Sequence, residues 1–473
     1  MLTSACAVPL APGYKTTRET RTVRFIAGSP GELQIREQFT LENSGTTALP
    51  FLDLNPPEPG IFGTKDLRVE LDGHQTALAE LPPEYRPDHP NTRRIVFQQP
   101  WPRGETHELD IEYTLSSPPQ SSSRIAIGDE TFHLGPLGWS ALPQPPQHLL
   151  SPYPSRPDKM AYSVLVPAGF LVLARGKMTS RKPNGGETEY AFLLRKSDLA
   201  PFVVGGRYIE TRLGEGSAGL IFWTLHPLSG NAGSTPERIA AAWATLQKDF
   251  GTVDAGAGGL HVVESPNLTS PSAGASGPAV ASFPGGALVN EQTLALGIGS
   301  DAFVEEISHA LAYNWFRDQM YPTGAAALAM GEGLPEYATI VIDEAARGAE
   351  GRQDRIDYYL RRYNDALKQA PEIPLGVTAL TDPAPQRAIA LAKAPLMYVS
   401  LEDTCGEAPV RQGLRDLATL LRGQEVGFDD MRSAIEQTCG KNLGAFFREW
   451  LYEKGLPADF RSRYEGTGKS AAP

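Results

Sequence analysis

The sequence lacks any apolar run long enough to cross a membrane. A transmembrane helix needs about 18 to 20 consecutive apolar residues, and the longest candidate, from Val164 to Leu173, is broken by Pro167 and Gly169. Basic residues are also few: 43 lysines and arginines against 55 aspartates and glutamates leave a formal net charge of -12. A nucleic-acid-binding protein needs a basic surface to meet phosphates. The composition therefore argues against a membrane span and against a nucleic-acid partner.

Cysteine is scarce, and its placement leaves two interpretations open. Small residues at positions 3–5 precede Cys6, as at the end of a bacterial lipoprotein signal, although the basic and apolar regions of such a signal are missing. If Cys6 carries a lipid anchor, the chain is an exported lipoprotein, and Cys405 and Cys439 are an even pair that could form a disulfide. Otherwise the three cysteines are free buried thiols in a reducing compartment.

Motifs for nucleotide chemistry are missing, since no glycine-rich loop is followed by Lys and Ser or Thr. The histidines other than His309 are scattered along the chain, and no two of them are spaced as a zinc-binding pair. They are His74, His89, His107, His133, His148, His226 and His261. At 473 residues the chain is long enough for more than one domain, and we expect three.

Residues 13–210 have the texture of strands, and we predict an antiparallel β-sandwich there. Leu33, Ile35, Phe39 and Leu41 alternate with polar residues, and turn-forming residues bound this segment and others like it. Alternation with a period of two, interrupted by Gly, Pro, Asn and Asp, is typical of half-buried antiparallel strands.

Beyond the sandwich the pattern becomes mixed and then helical. Residues 219–348 combine apolar strand segments with helices, and Ile307 and Leu311 lie at helical core spacing. Helical periodicity continues through residues 349–463, whereas the small and polar tail at 464–473 is predicted to be disordered. The fold class that we predict is therefore a multidomain α+β protein with an α/β centre and a helical carboxy-terminal region.

Three sequence blocks between residues 283 and 337 carry the chemically informative positions. They are Gly286-Ala287-Leu288-Val289-Asn290, His309-Ala310-Leu311-Ala312-Tyr313-Asn314-Trp315-Phe316 and Gly331-Glu332-Gly333, and Glu332 follows Tyr313 by nineteen residues. In order and spacing these blocks resemble the aminopeptidase N family of gluzincin zinc metallopeptidases. That family has G-A-M-E-N, then H-E-x-x-H-x-W-F, then N-E-G with its glutamate nineteen residues after the second histidine.

The resemblance implies a fold and a cleft. It implies a thermolysin-like α/β domain over residues 219–348 and a helical region that closes over a substrate cleft. In the family, a strand at the edge of that cleft carries the G-A-M-E-N block. We therefore expect Gly286, Ala287, Val289 and Asn290 to lie on that strand and to line the cleft.

The metal-binding positions implied by the resemblance are largely replaced. Two histidines one helical turn apart can hold one metal ion, and the glutamate beside the first acts as general base. Here the first histidine is His309, the base position is Ala310, the second histidine position is Tyr313 and the last ligand is Glu332. Alanine accepts no proton, and a phenol with a pKa near ~10 is a poor zinc ligand at neutral pH. Since a catalytic zinc normally takes three protein ligands, we expect a vestigial site without a cofactor.

Two further family positions differ. The glutamate that binds the substrate amino group corresponds to Val289, and the oxyanion-binding tyrosine, two residues before a Lys-Gly pair, corresponds to Leu391 before Lys393 and Ala394. We therefore expect no catalytic residues. The leading hypothesis is a non-catalytic pseudo-peptidase that binds a peptide or protein ligand.

Alternatives remain open at this point. The chain could be a metallo-aminopeptidase with residual zinc-dependent activity, or Glu305, His309 and Glu332 could hold a different metal such as Mn or Fe. His309 could equally be an ordinary hydrogen-bonded histidine inside a domain. Tyr313 could donate a hydrogen bond to Glu332, which would satisfy the pocket without an ion.

Overall fold

The computed structural model describes residues 13–464 apart from 29–30, 58–61, 84–85, 87–90, 118–124, 136–137, 144–156, 196–200, 214–219, 229, 231, 254–258, 267, 269–278, 284, 318 and 380–381. Cys6, where a lipid anchor is one of the two open interpretations, and residues 465–473 of the predicted disordered tail lie outside these described residues. Tyr464 ends the last helix and donates a hydrogen bond to Asp403.

The amino-terminal part is rich in sheet, as predicted. Its strands are β1 (Lys15–Ile26), β2 (Glu32–Glu42), β3 (Leu49–Asn55), β4 (Gly63–Leu71), β5 (His74–Gln75), β6 (Ala79–Glu80), β7 (Arg93–Trp101), β8 (Thr106–Ser116), β9 (Ile125–Ile127), β10 (Thr131–Leu134), β11 (Leu142–Pro143), β12 (Lys159–Pro167), β13 (Leu171–Ala174), β14 (Lys177–Asn184), β15 (Glu187–Arg195) and β16 (Val203–Gly206). They form an eight-stranded sheet in the order β14-β15-β12-β1-β2-β8-β4-β5 and two four-stranded sheets, β13-β16-β10-β9 and β11-β3-β7-β6.

The alternation seen in the sequence marks the buried face of the large sheet. Leu33, Ile35 and Phe39 of β2 are buried between exposed neighbours, so their side chains form one wall of the sandwich core. One pairing departs from the predicted antiparallel arrangement, because β1 and β12 run parallel, with Val23 beside Val164. Parallel neighbours require a long connection. The chain supplies it, since residues 27–158 separate the two strands.

A buried ion cluster crosses this sandwich core. Arg21 pairs with Glu19 at 2.6 Å and with Glu37 at 3.1 Å, so two buried carboxylates share one guanidinium. Glu37 also accepts hydrogen bonds from the Tyr113 hydroxyl at 2.9 Å and from the Ala141 N–H at 2.8 Å. Burial raises the pKa of Glu37 to about 7, against the lowering effect of Arg21. The carboxylate form of Glu37 is therefore costly in the folded chain.

The pH dependence of unfolding should report this cluster. Because the pKa of Glu37 rises from 4.5 to about 7 on folding, the stability linked to its bound proton is complete below pH 4.5 and is lost as pH rises through 7. The expected loss is about 3 kcal/mol. We expect Glu37→Gln to remove it, so that urea unfolding at pH 5 and pH 8 shows a smaller difference than in the wild type. The exposed Glu112→Gln should leave the difference unchanged, and parallel profiles for wild type and Glu37→Gln would contradict the prediction.

A five-stranded sheet forms the centre of the chain. Its strands are β17 (Ile209–Leu213), β18 (Leu220–Thr224), β19 (Leu260–Glu264), β20 (Val280–Phe283) and β21 (Gly286–Val289), in the order β17-β18-β19-β21-β20. β18, β19 and β21 are parallel, and β20 pairs antiparallel with β21 at one edge. The block that begins at Gly286 forms β21, which lies between β19 and β20. The chain turns back after β20, which leaves β21 inside the sheet.

The position of Gly286 explains why this strand is so closely packed. A Cβ atom at Gly286 would lie 2.2 Å from the backbone oxygen of His261 on β19. Only glycine allows the two strands to approach in this way. The close pairing of β21 with β19 therefore requires glycine at the first residue of β21.

The carboxy-terminal part is helical, as predicted. Its helices, with those of the central part, are α1 (Thr235–Phe250), α2 (Glu291–Ala295), α3 (Asp301–Phe316), α4 (Ala326–Ala329), α5 (Gly333–Leu367), α6 (Ala384–Cys405), α7 (Glu407–Leu420), α8 (Phe428–Cys439), α9 (Gly444–Tyr452) and α10 (Ala458–Tyr464). Two short strands, β22 (Tyr321–Pro322) and β23 (Glu425–Val426), pair between them. Within the part of the chain that the structure describes, no helix combines the length and apolar character that a membrane span requires.

Of the two cysteine interpretations, the structure contains the pair. Cys405 at the end of α6 forms a disulfide with Cys439 at the end of α8, across 34 residues of sequence. The bond closes a loop around α7. Cys405 and Cys439 are therefore not free thiols in this structure.

Helix α5 folds back on itself and so brings distant residues to one place. Gly348 has a φ of 67°, a left-handed conformation that favours glycine, and it separates two helical arms. Across the arms Arg355 pairs with Asp343 at 2.8 Å, and Tyr359 bonds to Glu336 at 2.6 Å. The second arm thus packs antiparallel beside the first, and its side chains reach the helix that carries His309.

Candidate functional site

Helix α3 positions the site because its two faces differ in character. The Ser300 side chain caps the helix by accepting a hydrogen bond from the Phe303 N–H. Phe303, Ile307, Leu311 and Trp315 lie at core spacing and are buried in the main hydrophobic cluster. This buried face fixes the rotation of the helix, and therefore also fixes what its other face presents.

The other face of α3 carries four polar or aromatic side chains. Glu306, His309, Tyr313 and Arg317 follow one another at intervals of three, four and four residues, and each is partly exposed. This spacing places them in one row on the surface of a helix. Arg317 completes the row because it is the C-cap residue of α3, where a positive charge also complements the helix dipole.

Glu332, at the start of α5, is held by two members of that row. The Tyr313 hydroxyl donates a hydrogen bond to Glu332 Oε2 at 2.7 Å, which confirms the sequence-based alternative for Tyr313. Arg317 Nη1 lies 3.2 Å from Glu332 Oε1, and its guanidinium lies 5.3 Å from the Tyr313 ring centre. We call Tyr313, Arg317 and Glu332 the Glu332 clamp. It uses both oxygens of the carboxylate.

The protonation of Tyr313 follows from its surroundings. Burial raises the pKa of the Tyr313 hydroxyl well above its ordinary value, and the negative charge of Glu332 raises it further. The hydroxyl is therefore protonated at neutral pH and acts as a donor. A metal ligand must present a deprotonated or lone-pair donor, so Tyr313 is suited to the hydrogen bond and not to a zinc ion.

Glu336, one turn after Glu332, is the centre of a second cluster. Its Oε2 accepts a hydrogen bond from the Tyr359 hydroxyl at 2.6 Å and lies 3.8 Å from His309 Nε2, and Arg362 lies 3.5 Å from its Oε1. Burial would raise the pKa of Glu336, but His309, Arg362 and the Tyr359 hydroxyl outweigh burial and lower it. Glu336 is therefore ionised, and His309 faces it.

The remaining acidic residues of α3 have different roles. Glu305 forms a short ion pair with Arg355, which also pairs with Asp343. The proposed set of Glu305, His309 and Glu332 for another metal is not assembled, because each carboxylate has its own arginine. Burial raises the pKa of Glu306, and the nearby negative charges of Glu305 and Glu336 raise it further.

The donor set can be compared with what a catalytic zinc requires. Zinc takes three protein ligands and keeps one position for water. Here both Glu332 oxygens are engaged by Tyr313 and Arg317, and His309 Nε2 faces Glu336. Over the described residues, no three His, Cys, Asp or Glu side chains come together as a metal site. The residues present therefore do not fit a catalytic zinc ion.

The positions matched to the base and to the oxyanion tyrosine are apolar in their contacts. Ala310 is fully buried in the main core, and Leu391 packs against the same core from α6. Neither side chain can transfer a proton or donate a hydrogen bond. Lys393, the family lysine position, is buried and bonds to Glu372 Oε1 at 2.8 Å and to the Glu453 carbonyl at 2.8 Å. Its role here is therefore structural.

The predicted cleft residues are all buried. Gly286, Ala287 and Val289 lie in the inner strand β21, and the Asn290 side chain caps α2 by accepting the Thr293 N–H at 2.9 Å. Their contact with a substrate stays a prediction.

At the edge of the sheet, β20 has partly exposed side chains at Val280, Ala281 and Ser282, and it packs against α3. The strand beside the site is therefore β20. The sequence did not indicate β20, because the block that resembles the family motif lies on the neighbouring strand β21.

Comparisons with known proteins bear on the fold. No family model and no curated protein matches the sequence. Among solved structures, the M1 zinc metallopeptidase from Deinococcus radiodurans is similar with a TM-score of 0.65 and 17% identity, covering 94% of this chain and 96% of that one. A mutant of that enzyme bound to Tyr-Ser-Ala substrate is similar with a TM-score of 0.62, 18% identity and the same coverage. This chain has the M1 zinc metallopeptidase fold.

The M1 fold agrees with the architecture described above. The sheet-rich amino-terminal part, the mixed centre and the helical carboxy-terminal part span nearly the whole chain of the solved neighbours. A two-domain M1 zinc metallopeptidase mutant bound to L-arginine is also similar, with a TM-score of 0.64 and 17% identity over 94% of this chain and 95% of that one. Identity at this level establishes the fold alone. The domain boundaries at residues 210, 219 and 348 stay predictions.

Proposed function

We propose that this protein is a non-catalytic relative of the M1 zinc metallopeptidases that binds a peptide or protein in the cleft beside α3. The observation that carries the proposal is the Glu332 clamp. In it, a protonated tyrosine and an arginine satisfy the carboxylate that the resemblance assigns to zinc. A pocket that satisfies its own polar groups has no need of an ion.

The missing catalytic groups support the same proposal. Ala310 cannot act as a general base, and general acid–base catalysis contributes about 10²- to 10⁴-fold to a rate. Leu391 cannot stabilise an oxyanion, and loss of one oxyanion donor costs about 10²- to 10³-fold. Residual zinc-dependent activity is the alternative, and it would require Glu332 to leave both Tyr313 and Arg317.

The proposed ligand is an extended peptide that adds to β20. An exposed sheet edge can pair with an incoming strand through its main-chain groups, while side-chain pockets provide specificity. β20 is the edge strand next to α3 in the described sheet, and Ser282 is partly exposed on it. The similar solved structures include M1 zinc metallopeptidase mutants bound to Tyr-Ser-Ala substrate and to L-tryptophan.

The proposal predicts binding without turnover. Purified protein should contain far less than one zinc per chain by elemental analysis and should not hydrolyse alanyl- or leucyl-anilides. In calorimetric titrations the tripeptide Tyr-Ser-Ala should bind and remain intact. Ser282→Trp should weaken binding by about tenfold, or about 1.4 kcal/mol, because the indole obstructs the edge of β20.

The matched control uses a second edge strand. Ser180→Trp places the same side chain on β14, at the edge of the large amino-terminal sheet, and should leave binding unchanged. Stoichiometric zinc together with chelator-sensitive hydrolysis would refute the proposed function. Equal binding by wild type and Ser282→Trp would refute the assignment of β20 as the docking strand.

A further inference from the structure

Arg317 is fixed at the site by several independent contacts. Its backbone N–H bonds to the Tyr313 carbonyl as the C-cap of α3, its guanidinium pairs with Glu332 at 3.2 Å, and it lies over the Tyr313 ring. An exposed ion pair alone would hold a long side chain only weakly. The backbone position, the ring contact and the carboxylate together hold the guanidinium beside Glu332.

The charge balance of the clamp resembles that of a metal site in one respect. A zinc ion would join α3 to the start of α5 by binding His309 on one helix and Glu332 on the other, and would supply positive charge to the carboxylate. In this chain Arg317 supplies positive charge to Glu332, and Tyr313 supplies the hydrogen bond that joins the two helices. The two helices are thus connected by residues of the chain itself.

We infer that Arg317 is a built-in cation that replaces a metal at Glu332 and excludes one. The inference rests on the proposed function and deepens it by naming the group that keeps the site free of zinc. Its basis is electrostatic: a metal ion bound to Glu332 would lie close to the guanidinium, and like charges repel strongly at such distances in a partly buried site. Restoring the second histidine alone therefore leaves the site closed to zinc.

The test compares zinc affinity with and without the arginine. Tyr313→His completes the set of His309, residue 313 and Glu332, and Tyr313→His/Arg317→Gln also removes the cation. Competition with a chromophoric zinc chelator measures the dissociation constants, and elemental analysis after dialysis measures the stoichiometry. We expect the double variant to bind one zinc per chain about 100-fold more tightly than Tyr313→His. These readouts require no catalytic activity.

Control variants separate charge from other effects. Tyr313→His/Arg317→Lys keeps a positive charge and should bind zinc as weakly as Tyr313→His. Tyr313→His/Arg432→Gln removes an arginine from an exposed pair with Asp429 on α8 and should also match Tyr313→His. Arg317→Met is a second neutral replacement, which keeps the apolar stem, in case Arg317→Gln does not fold.

The outcomes distinguish this inference from the proposed function. The role of Arg317 would be overturned if Tyr313→His binds zinc as tightly as the variants that also carry Arg317→Gln or Arg317→Met. Circular dichroism must show that these neutral variants are folded. Tight zinc binding by Tyr313→His/Arg317→Lys would overturn the role of Arg317 as well. Stoichiometric zinc in the wild type would instead overturn the proposed function, because the unaltered clamp would then admit the ion.

Discussion

Replacing Lys393 by methionine is expected to lower the free energy of unfolding by about 3 to 5 kcal/mol. Lys393 is 1% exposed in its side chain, and its ammonium pairs with Glu372 Oε1 at 2.8 Å. Methionine keeps the length of the side chain but removes the charge, so Glu372 is left as a buried carboxylate without its cation. Urea unfolding followed by circular dichroism measures the loss.

The size of this effect follows from how many segments meet at the pair. Besides Lys393, Glu372 accepts hydrogen bonds from the Tyr363 hydroxyl at 2.8 Å and the Gly455 N–H at 2.6 Å, while Lys393 also bonds to the Glu453 carbonyl. The pair therefore connects α6 to α5 and to the link between α9 and α10. Loss of the charge loosens the end of the helical region as well as the pair itself.

Two controls make the Lys393 result specific. Lys368→Met removes a lysine that is 75% exposed and pairs with Asp365, and it should change stability by less than about 0.5 kcal/mol. Adding Glu372→Gln to Lys393→Met removes the unpaired charge and should recover part of the loss. If Lys393→Met is no more destabilising than Lys368→Met, the buried pair does not support the fold.

Lys393 also shows what a motif can and cannot predict. The sequence matches Lys393 to a lysine that, in the peptidase family, follows an oxyanion-binding tyrosine. The tyrosine position is Leu391, and the structure gives the lysine a buried partner 21 residues away in sequence. The match therefore did not indicate this role, which depends on packing between distant segments.

The general fold could be predicted because its signals are local. Strand alternation in β2 and helical spacing in α3 mark buried faces directly, since burial follows the repeat of the backbone. The hydrogen bond from Tyr313 to Glu332 was also predictable, because the resemblance placed both residues at one site. The disulfide between Cys405 and Cys439 was only one of two open interpretations.

The missed features depend on contacts between distant segments. Gly286 was matched to a strand at the edge of the cleft, but the sequence did not show that β20 would lie outside that strand in the sheet. No sequence motif singled out Arg317, and only its contact with Glu332 in the structure gives it a role. Glu336 reaches Tyr359 because α5 reverses at Gly348, and periodicity alone does not locate that reversal.

The site therefore consists of two carboxylates with similar partners. Glu332 has Tyr313 and Arg317, whereas Glu336 has Tyr359 and Arg362, with His309 nearby. Each carboxylate lies beside a guanidinium and receives a hydrogen bond from a phenol. This arrangement stabilises negative charge without a metal, and it leaves no partner for an additional buried carboxylate on α3.

Ala310→Glu, which restores the family base, is accordingly expected to lower the free energy of unfolding by about 4 kcal/mol or more. Ala310 is fully buried in the main core, so the introduced carboxylate would lose its hydration and gain no cation. Ala302→Glu makes the same change at an exposed position in the first turn of α3, where a negative charge is favourable, and should be nearly neutral. Thermal and urea unfolding of both variants measure the difference.

A metal should reduce this cost only where the clamp has been opened. In the Tyr313→His/Arg317→Gln background, a zinc ion would supply the missing positive charge, and binding to the folded state alone adds stability. We expect saturating zinc to recover about 2 kcal/mol of the loss caused by Ala310→Glu in that background and nothing in the otherwise unaltered chain. A stable Ala310→Glu variant without zinc would mean that water already reaches residue 310, and zinc rescue with Arg317 present would mean that the guanidinium does not keep the ion out.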